Sequence, residues 1–142
     1  MRQLTYKTVR HKLIMFTATM LWLLLIIILS VMPYTQSEGL PDTETVFRWD
    51  YLEHFAGYFL LALLAALWRA DRNLSLPLSG IIIIIAGGSV ISFILEYIQL
   101  YIPGRAFNMI DVASNITGLL AGLLTAYFII LPALQRRYLP PE

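Results

Sequence analysis

The chain has 142 residues, of which 58% are hydrophobic and only 13% are charged, and its formal net charge is +1. This length allows one domain, and the excess of apolar residues excludes an ordinary water-soluble fold. The sequence contains no cysteine, which excludes disulfides and thiolate chemistry, and its dispersed basic residues predict no nucleic-acid partner.

Four apolar stretches follow one another along the chain, at about residues 13–32, 51–68, 79–102 and 110–131. Because a helix rises about 1.5 Å per residue, these lengths suit a hydrocarbon core about 30 Å thick. The stretches lack the alternation of membrane β-strands, and a helix satisfies its own backbone groups in lipid. The sequence therefore predicts an all-α integral membrane protein in which residues 1–142 form one compact bundle of four transmembrane helices.

A secretory signal is the alternative interpretation of the first stretch, because basic residues precede it. Its apolar part is longer than a usual signal core, and no A-x-A-like cleavage site follows Met32. These two features favour an uncleaved first transmembrane helix.

The basic residues are unequally divided between the two ends of the predicted helices. If the N-terminus is cytoplasmic, eight of the ten Lys and Arg residues lie on that side, and only Arg48 and Arg105 lie outside. Positive residues near helix ends favour the cytoplasmic side. We therefore expect both termini in the cytoplasm and a turn at Pro103-Gly104 on the outer surface.

Polar residues cluster near the predicted outer end of the fourth helix. At about 100° per residue, Asp111, Asn115, Gly118 and Gly122 fall within about 60° of arc. The two glycines have the G-x-x-x-G spacing that lets a neighbouring helix approach closely in lipid. A close neighbour would also contact Asp111 and Asn115.

Two other helices carry polar residues at the same depth. Asp50, His54 and Tyr58 follow at intervals of four on the second helix, and Glu96 and Gln99 are adjacent on the third. Their distance from the predicted outer ends is within about two helical turns. The sequence therefore predicts a common polar pocket at the outer leaflet.

These polar residues also have structural interpretations. Glu96 and Arg105 would form an ion pair that holds the turn, and Glu53 would point elsewhere and reach the lipid headgroups. Asp111 suits a helix N-terminus and Asn108 suits a helix cap. Because ionisable groups inside a membrane are costly and are commonly functional, the cluster as a whole favours a functional site.

The polar residues form a combined pattern: D-x-x-x-H-F-x-x-Y from Asp50, E-x-x-Q from Glu96, P-G-R-x-F at 103–107, and D-V-x-x-N-x-x-G-x-x-x-G from Asp111. This pattern, over roughly residues 15–132, resembles the VanZ-like family of membrane proteins. The founding member of that family is associated with low-level resistance to the glycopeptide teicoplanin. The resemblance implies a multi-pass protein of the bacterial cytoplasmic membrane with a role in the cell envelope. Members often carry Lys directly after the first Asp, where this chain has Tyr51.

The first functional hypothesis is binding. The pocket would bind or modulate an envelope component, such as a membrane lipid, a lipid-linked cell-wall precursor or a lipoglycopeptide such as teicoplanin. The residues predicted to contact it are Asp50, His54, Tyr58, Glu96, Gln99, Arg105, Asp111 and Asn115.

Two alternatives remain open from the residues alone. In an enzyme acting on an envelope lipid or lipid-linked precursor, Glu96, His54 and Asp111 would supply acid–base catalysis, and Arg105 would hold a phosphate or carboxylate. In a structural or assembly protein, the same polar groups would join helices by hydrogen bonds.

A metal held by His54, Glu96 and Asp111 is the lesser variant of the enzyme hypothesis. The chain has no H-E-x-x-H or comparable spacing. The sequence therefore predicts neither a metal nor another cofactor.

Overall fold

The computed structural model describes residues 2–33 and 49–138 and is helical in nearly all of that part. The long helices are α1 (Arg2–Val31), α2 (Trp49–Arg69), α3 (Leu78–Gln99) and α4 (Met109–Thr125), and a π-helical turn (Ala126–Ile130) joins α4 to α5 (Leu131–Tyr138). Because α4, the π turn and α5 run on as one span, the described chain has four helices long and apolar enough to cross a membrane. The all-α prediction is confirmed, and the four spans indicate a multi-pass membrane protein.

Two helix ends differ from the predicted boundaries. α3 ends at Gln99 instead of near residue 102, because the next three N–H groups bond three residues back and lead into Pro103. The last span continues beyond residue 131 to Tyr138, past Pro132. The N–H of Leu131 donates to the carbonyl of Ala126, five residues back, and this wider turn accommodates the N–H that Pro132 lacks. Most of the predicted outer loop, residues 34–48, lies outside the described residues.

The helices alternate in direction, as their contacts show. The Phe16 ring packs against Trp68, and Trp22, later on α1, contacts Gly57, about three helical turns earlier on α2, so α1 and α2 are antiparallel. α3 and α4 are also antiparallel, whereas α2 and α4 run in the same direction, with Phe55 beside Gly118 and Phe59 beside Gly122. The C-terminal ends of α1 and α3 therefore lie at the same end of the bundle as the N-terminal ends of α2 and α4.

The exterior of the bundle is apolar and part of its interior is polar. Large side chains such as Leu21, Ile82 and Phe128 are more than half exposed. In contrast, polar side chains occupy buried positions: Thr19, Ser92, Glu96, Gln99, Asp111 and Asn115. Water-soluble proteins instead expose polar side chains and bury apolar ones, so this arrangement suits a protein whose surface faces lipid.

The closest helix contact in the core joins α2 to α4. A methyl group placed on Gly118 would overlap the backbone carbonyl of Phe55, and one on Gly122 would overlap the carbonyl of Phe59. The prediction that the G-x-x-x-G pair permits a close approach is confirmed, and the neighbour is α2. This contact fixes Asn115 and Asp111, about one and two turns before Gly118 on α4, against the first turns of α2.

Candidate functional site

A cavity of about 600 Å³ lies between α1, α2 and α3 at the end of the bundle where the polar residues cluster. Its deeper wall is apolar and includes Trp22, Leu25, Ile26 and Leu60. Its other wall contains polar side chains: Ser30, Glu53, His54, Tyr58, Glu96, Gln99, Arg105 and Asn115. One end of the cavity can therefore accept hydrogen-bonding groups while the other accepts hydrocarbon.

Six of the eight residues predicted to bind a ligand line this cavity, and two do not. Asp111 lies behind His54, with its Oδ2 atom 3.9 Å from His54 Nε2. Asp50 lies in the first turn of α2, where its Oδ1 atom accepts the N–H of Tyr51. An acidic residue in the first turn of a helix interacts favourably with the helix dipole. The next residue is Tyr51, where members of the VanZ-like family often carry Lys.

A chain of hydrogen bonds connects α2, α4 and α3 beside the cavity. The Asn115 amide nitrogen donates to Ser92 Oγ over 3.0 Å, which leaves Asn115 Oδ1 to accept from His54 Nδ1 over 3.2 Å. His54 therefore carries a proton on Nδ1, and its Nε2 atom faces Asp111. Ser92 and Asn115 are almost fully buried, so the hydrogen bond between them is protected from solvent, whereas His54 is partly exposed.

Tyr58 lies one turn further along α2 and is only 3% exposed. Its hydroxyl approaches Ser92, but among the described residues it forms no hydrogen bond of normal geometry. A buried hydroxyl without a partner is costly. Because Tyr58 also lines the cavity, a bound molecule that reaches this hydroxyl would supply the missing partner.

Glu96 connects α3 to the beginning of α4. It is 1% exposed, and its Oε1 atom accepts the backbone N–H of Asn108 over 2.9 Å. Asn108 is the N-cap of α4, and its own side chain accepts the N–H of Ile110, as predicted for a cap. Within the described residues, Glu96 Oε2 has no hydrogen-bond donor.

Arg105 contacts the end of α1. The N–H of Arg105 bonds the carbonyl of Ile102, and Gly104 between them has φ 76°, which a type II turn requires. The turn directs the guanidinium so that Nε donates to Met32 O over 3.2 Å and an Nη atom donates to Leu29 O over 3.1 Å. Arg105 thus caps the C-terminal carbonyls of α1, and this geometry replaces the Glu96–Arg105 ion pair considered from the sequence.

α1 supplies site residues that the sequence analysis did not identify. Ser30 accepts a hydrogen bond from Gln99 over 3.0 Å, and the Trp22 indole donates to the Gly57 carbonyl over 2.8 Å. Glu53, expected to point elsewhere, is exposed but lines the cavity, because α1 docks on the same face of α2, one turn later at Gly57. A lone Ser or Trp in an apolar helix is a weak indication of a site.

The proposed metal ligands do not converge. In the part of the chain that the structure describes, no three His, Asp or Glu side chains are grouped so that they could hold a metal ion. Glu96 is bonded to Asn108, whereas His54 faces Asp111 and Asn115. The arrangement favours hydrogen bonding and proton exchange over metal ligation.

Comparisons of the chain with protein-family models, with curated proteins and with solved structures each gave no match.

Proposed function

We propose that this chain is a VanZ-like protein of the bacterial cytoplasmic membrane that binds, and thereby modulates, an amphiphilic component of the cell envelope. Candidate components are a membrane lipid, a lipid-linked cell-wall precursor and a lipoglycopeptide such as teicoplanin. In this proposal both termini are cytoplasmic, and the cavity opens at the extracytoplasmic side, as the distribution of basic residues favours.

The observation that carries the proposal is the two-part lining of the cavity. Buried polar groups at one end include the Tyr58 hydroxyl, and an apolar wall around Trp22 and Leu60 lies at the other. A molecule with a polar head and a hydrocarbon chain would satisfy both parts at once. Its chain would replace solvent or lipid against the apolar wall, and its head would supply the missing hydrogen bonds.

An enzyme is the second candidate, because of the contact between His54 and Asp111. The carboxylate lies 3.9 Å from Nε2 of a histidine that also lines the cavity. Such a pair can orient and charge an imidazole for proton transfer. We rank this candidate second because both ring nitrogens of His54 already have partners, Nδ1 in Asn115 and Nε2 in Asp111.

Fluorescence of Trp22 offers a direct test of binding. The sequence has three tryptophans, so the double variant Trp49→Phe, Trp68→Phe leaves Trp22 as the reporter. In non-ionic detergent, a phospholipid with brominated acyl chains should quench this fluorescence saturably if its chains enter the cavity.

Two alanine variants distinguish the cavity from the outer surface. Ala56 lines the cavity, so Ala56→Phe should fill it and reduce the saturable quenching at least tenfold in apparent affinity. Ala113 is exposed on α4 and does not line the cavity, so Ala113→Phe should leave the quenching within about twofold of the parent. Equal quenching in all three proteins would contradict the proposed site.

A further inference from the structure

The buried groups at the polar end of the cavity have mainly acceptor capacity left. Within the described residues, Glu96 uses Oε1 for the Asn108 N–H, which leaves Oε2 to accept. Gln99, 2% exposed, uses one N–H of its amide nitrogen for Ser30, which leaves its amide oxygen to accept and one N–H to donate. The Tyr58 hydroxyl can also accept. The Glu96 and Gln99 oxygens in particular call for a ligand that brings hydrogen-bond donors.

The charges around the cavity indicate the sign of that ligand. Among the described residues that line it are two carboxylates, Glu53 and Glu96, and one guanidinium, that of Arg105. Arg105 directs Nε and one Nη atom to the backbone carbonyls of Met32 and Leu29. Among the described residues Glu96 forms no ion pair within 4.0 Å, and Arg105 and His54 interact with its carboxylate only over longer distances. A buried carboxylate in a membrane protein is costly without a counter-charge, which a cationic ligand would provide.

We infer that the polar end of the cavity binds a primary ammonium group at the head of a long-chain amphiphile. This inference rests on the proposed function and specifies its ligand class. An ammonium has three N–H donors and no acceptor, which complements Glu96 Oε2, the Gln99 amide oxygen and the Tyr58 hydroxyl. A phosphate alone would instead bring acceptors and negative charge toward Glu96.

The test compares headgroups on identical brominated chains, with Trp22 fluorescence as the readout. Phosphatidylethanolamine has a primary ammonium, phosphatidylcholine keeps the positive charge without N–H donors, and phosphatidylglycerol has no cation. We expect phosphatidylethanolamine to half-saturate the quenching at a concentration at least tenfold below the other two. Equal or tighter binding of phosphatidylcholine or phosphatidylglycerol would overturn the inference. This comparison of headgroups requires no variant of Glu96.

Two substitutions then locate the preference. Glu96→Gln keeps the acceptor for Asn108 but loses the charge, so it should reduce the headgroup preference to less than threefold. The matched control is Asp71→Asn, in the loop between α2 and α3 at the opposite end, where Oδ1 can still accept the N–H groups of Asn73 and Ser75. This control should keep the tenfold preference. A preference that survives Glu96→Gln unchanged would contradict the assigned partner.

A competition experiment identifies the source of the ammonium. Dodecylammonium, which has no phosphate, should displace the brominated phosphatidylethanolamine, whereas ethanolammonium, which has no chain, should not. A lower midpoint for dodecylammonium than for unlabelled phosphatidylethanolamine would indicate a free long-chain amine, and a higher midpoint an aminophospholipid. Failure of dodecylammonium to displace the lipid would overturn the inference.

Failure of this inference is distinguishable from failure of the proposed function. If all three lipids quench Trp22 with equal midpoints and Ala56→Phe weakens each of them, an amphiphile binds but the ammonium is not recognised. If no lipid gives saturable quenching, the binding function itself is wrong.

Discussion

Gly118 of α4 lies directly against the backbone carbonyl of Phe55 in α2, without space for a single methyl group between them. We therefore expect Gly118→Ala and Gly122→Ala each to destabilise the bundle by about 1–3 kcal/mol, the usual cost of overpacking. Gly87→Ala is the matched control, because a methyl group there would meet nothing within 4 Å. Thermal unfolding in detergent measures all three variants. Parent-like stability of both Gly118→Ala and Gly122→Ala would contradict the close helix contact.

The hydrogen bond between His54 and Asn115 should contribute measurably to stability. A double-mutant cycle with His54→Leu and Asn115→Leu should give a coupling of about 0.6–1.7 kcal/mol, the range found for hydrogen bonds between membrane helices. Asn115→Leu alone should lower the free energy of unfolding by more than this coupling, because it also leaves Ser92 without the Asn115 donor. A coupling indistinguishable from zero would show that the two side chains are not bonded in the folded protein.

Capping by Arg105 should hold the C-terminal end of α1 against the bundle. Since the sequence has no cysteine, a Ser30→Cys variant has one thiol whose rate of maleimide labelling reports on this end of α1. Adding Arg105→Gln should accelerate the labelling several-fold, and Arg105→Lys should be intermediate because Lys lacks the planar fork for two carbonyls. The control is Ser92→Cys, fully buried on α3, where labelling should stay slow in every background. Equal rates at Ser30→Cys with and without Arg105 would argue against the cap.

Two substitutions of Glu96 distinguish a functional role of this residue from a purely structural one. Glu96→Gln keeps an acceptor for Asn108 and should fold normally, whereas Glu96→Leu removes it and should cost about 1–3 kcal/mol. If the protein alters teicoplanin sensitivity as proposed, and if Glu96 binds the ligand or transfers a proton, Glu96→Gln should still abolish that effect. Sensitivity assays are run beside thermal melts of the same variants. Full activity in Glu96→Gln would exclude the acid–base enzyme, and loss of activity only where folding is lost would leave the structural role.

Orientation is tested with reporters at two positions that both lie outside the described residues. A reporter fused after Glu142 should register as cytoplasmic, and one inserted near Gly39 should register as extracytoplasmic. Detection of the Gly39 reporter in the cytoplasm would reverse the orientation and place the cavity at the inner leaflet.

The helices and one side of the site could be predicted because lipid restricts the choices. A chain in hydrocarbon must satisfy its backbone internally, so long apolar stretches predict helices. The helical period then places Asn115 on the stripe of Gly118 and brings it to His54. This stripe also identified the surface of α4 that contacts α2.

The contribution of α1 could not be predicted, for physical reasons. Arg105 binds main-chain carbonyls, which every residue carries, so no side chain in α1 indicates the contact. Ser30 and Trp22 follow no polar period that would show which face of α1 docks. Without that face, the sequence could not show that Glu53 lines the cavity.

The position of α1 has a consequence for biosynthesis. Thr19 is the only buried residue among the described side chains of α1. The hydrogen bonds of α1 to other parts of the chain are made with Gly57, Gln99 and Arg105. These partners are synthesised 35 to 76 residues after the α1 residues that they contact. α1 can therefore pack against α2 once Gly57 and Trp68 have been synthesised, whereas the cap on its C-terminal carbonyls forms only after Arg105 has left the ribosome. We expect a nascent chain arrested before Arg105 to have α1 packed against α2 but the C-terminal carbonyls of α1 uncapped.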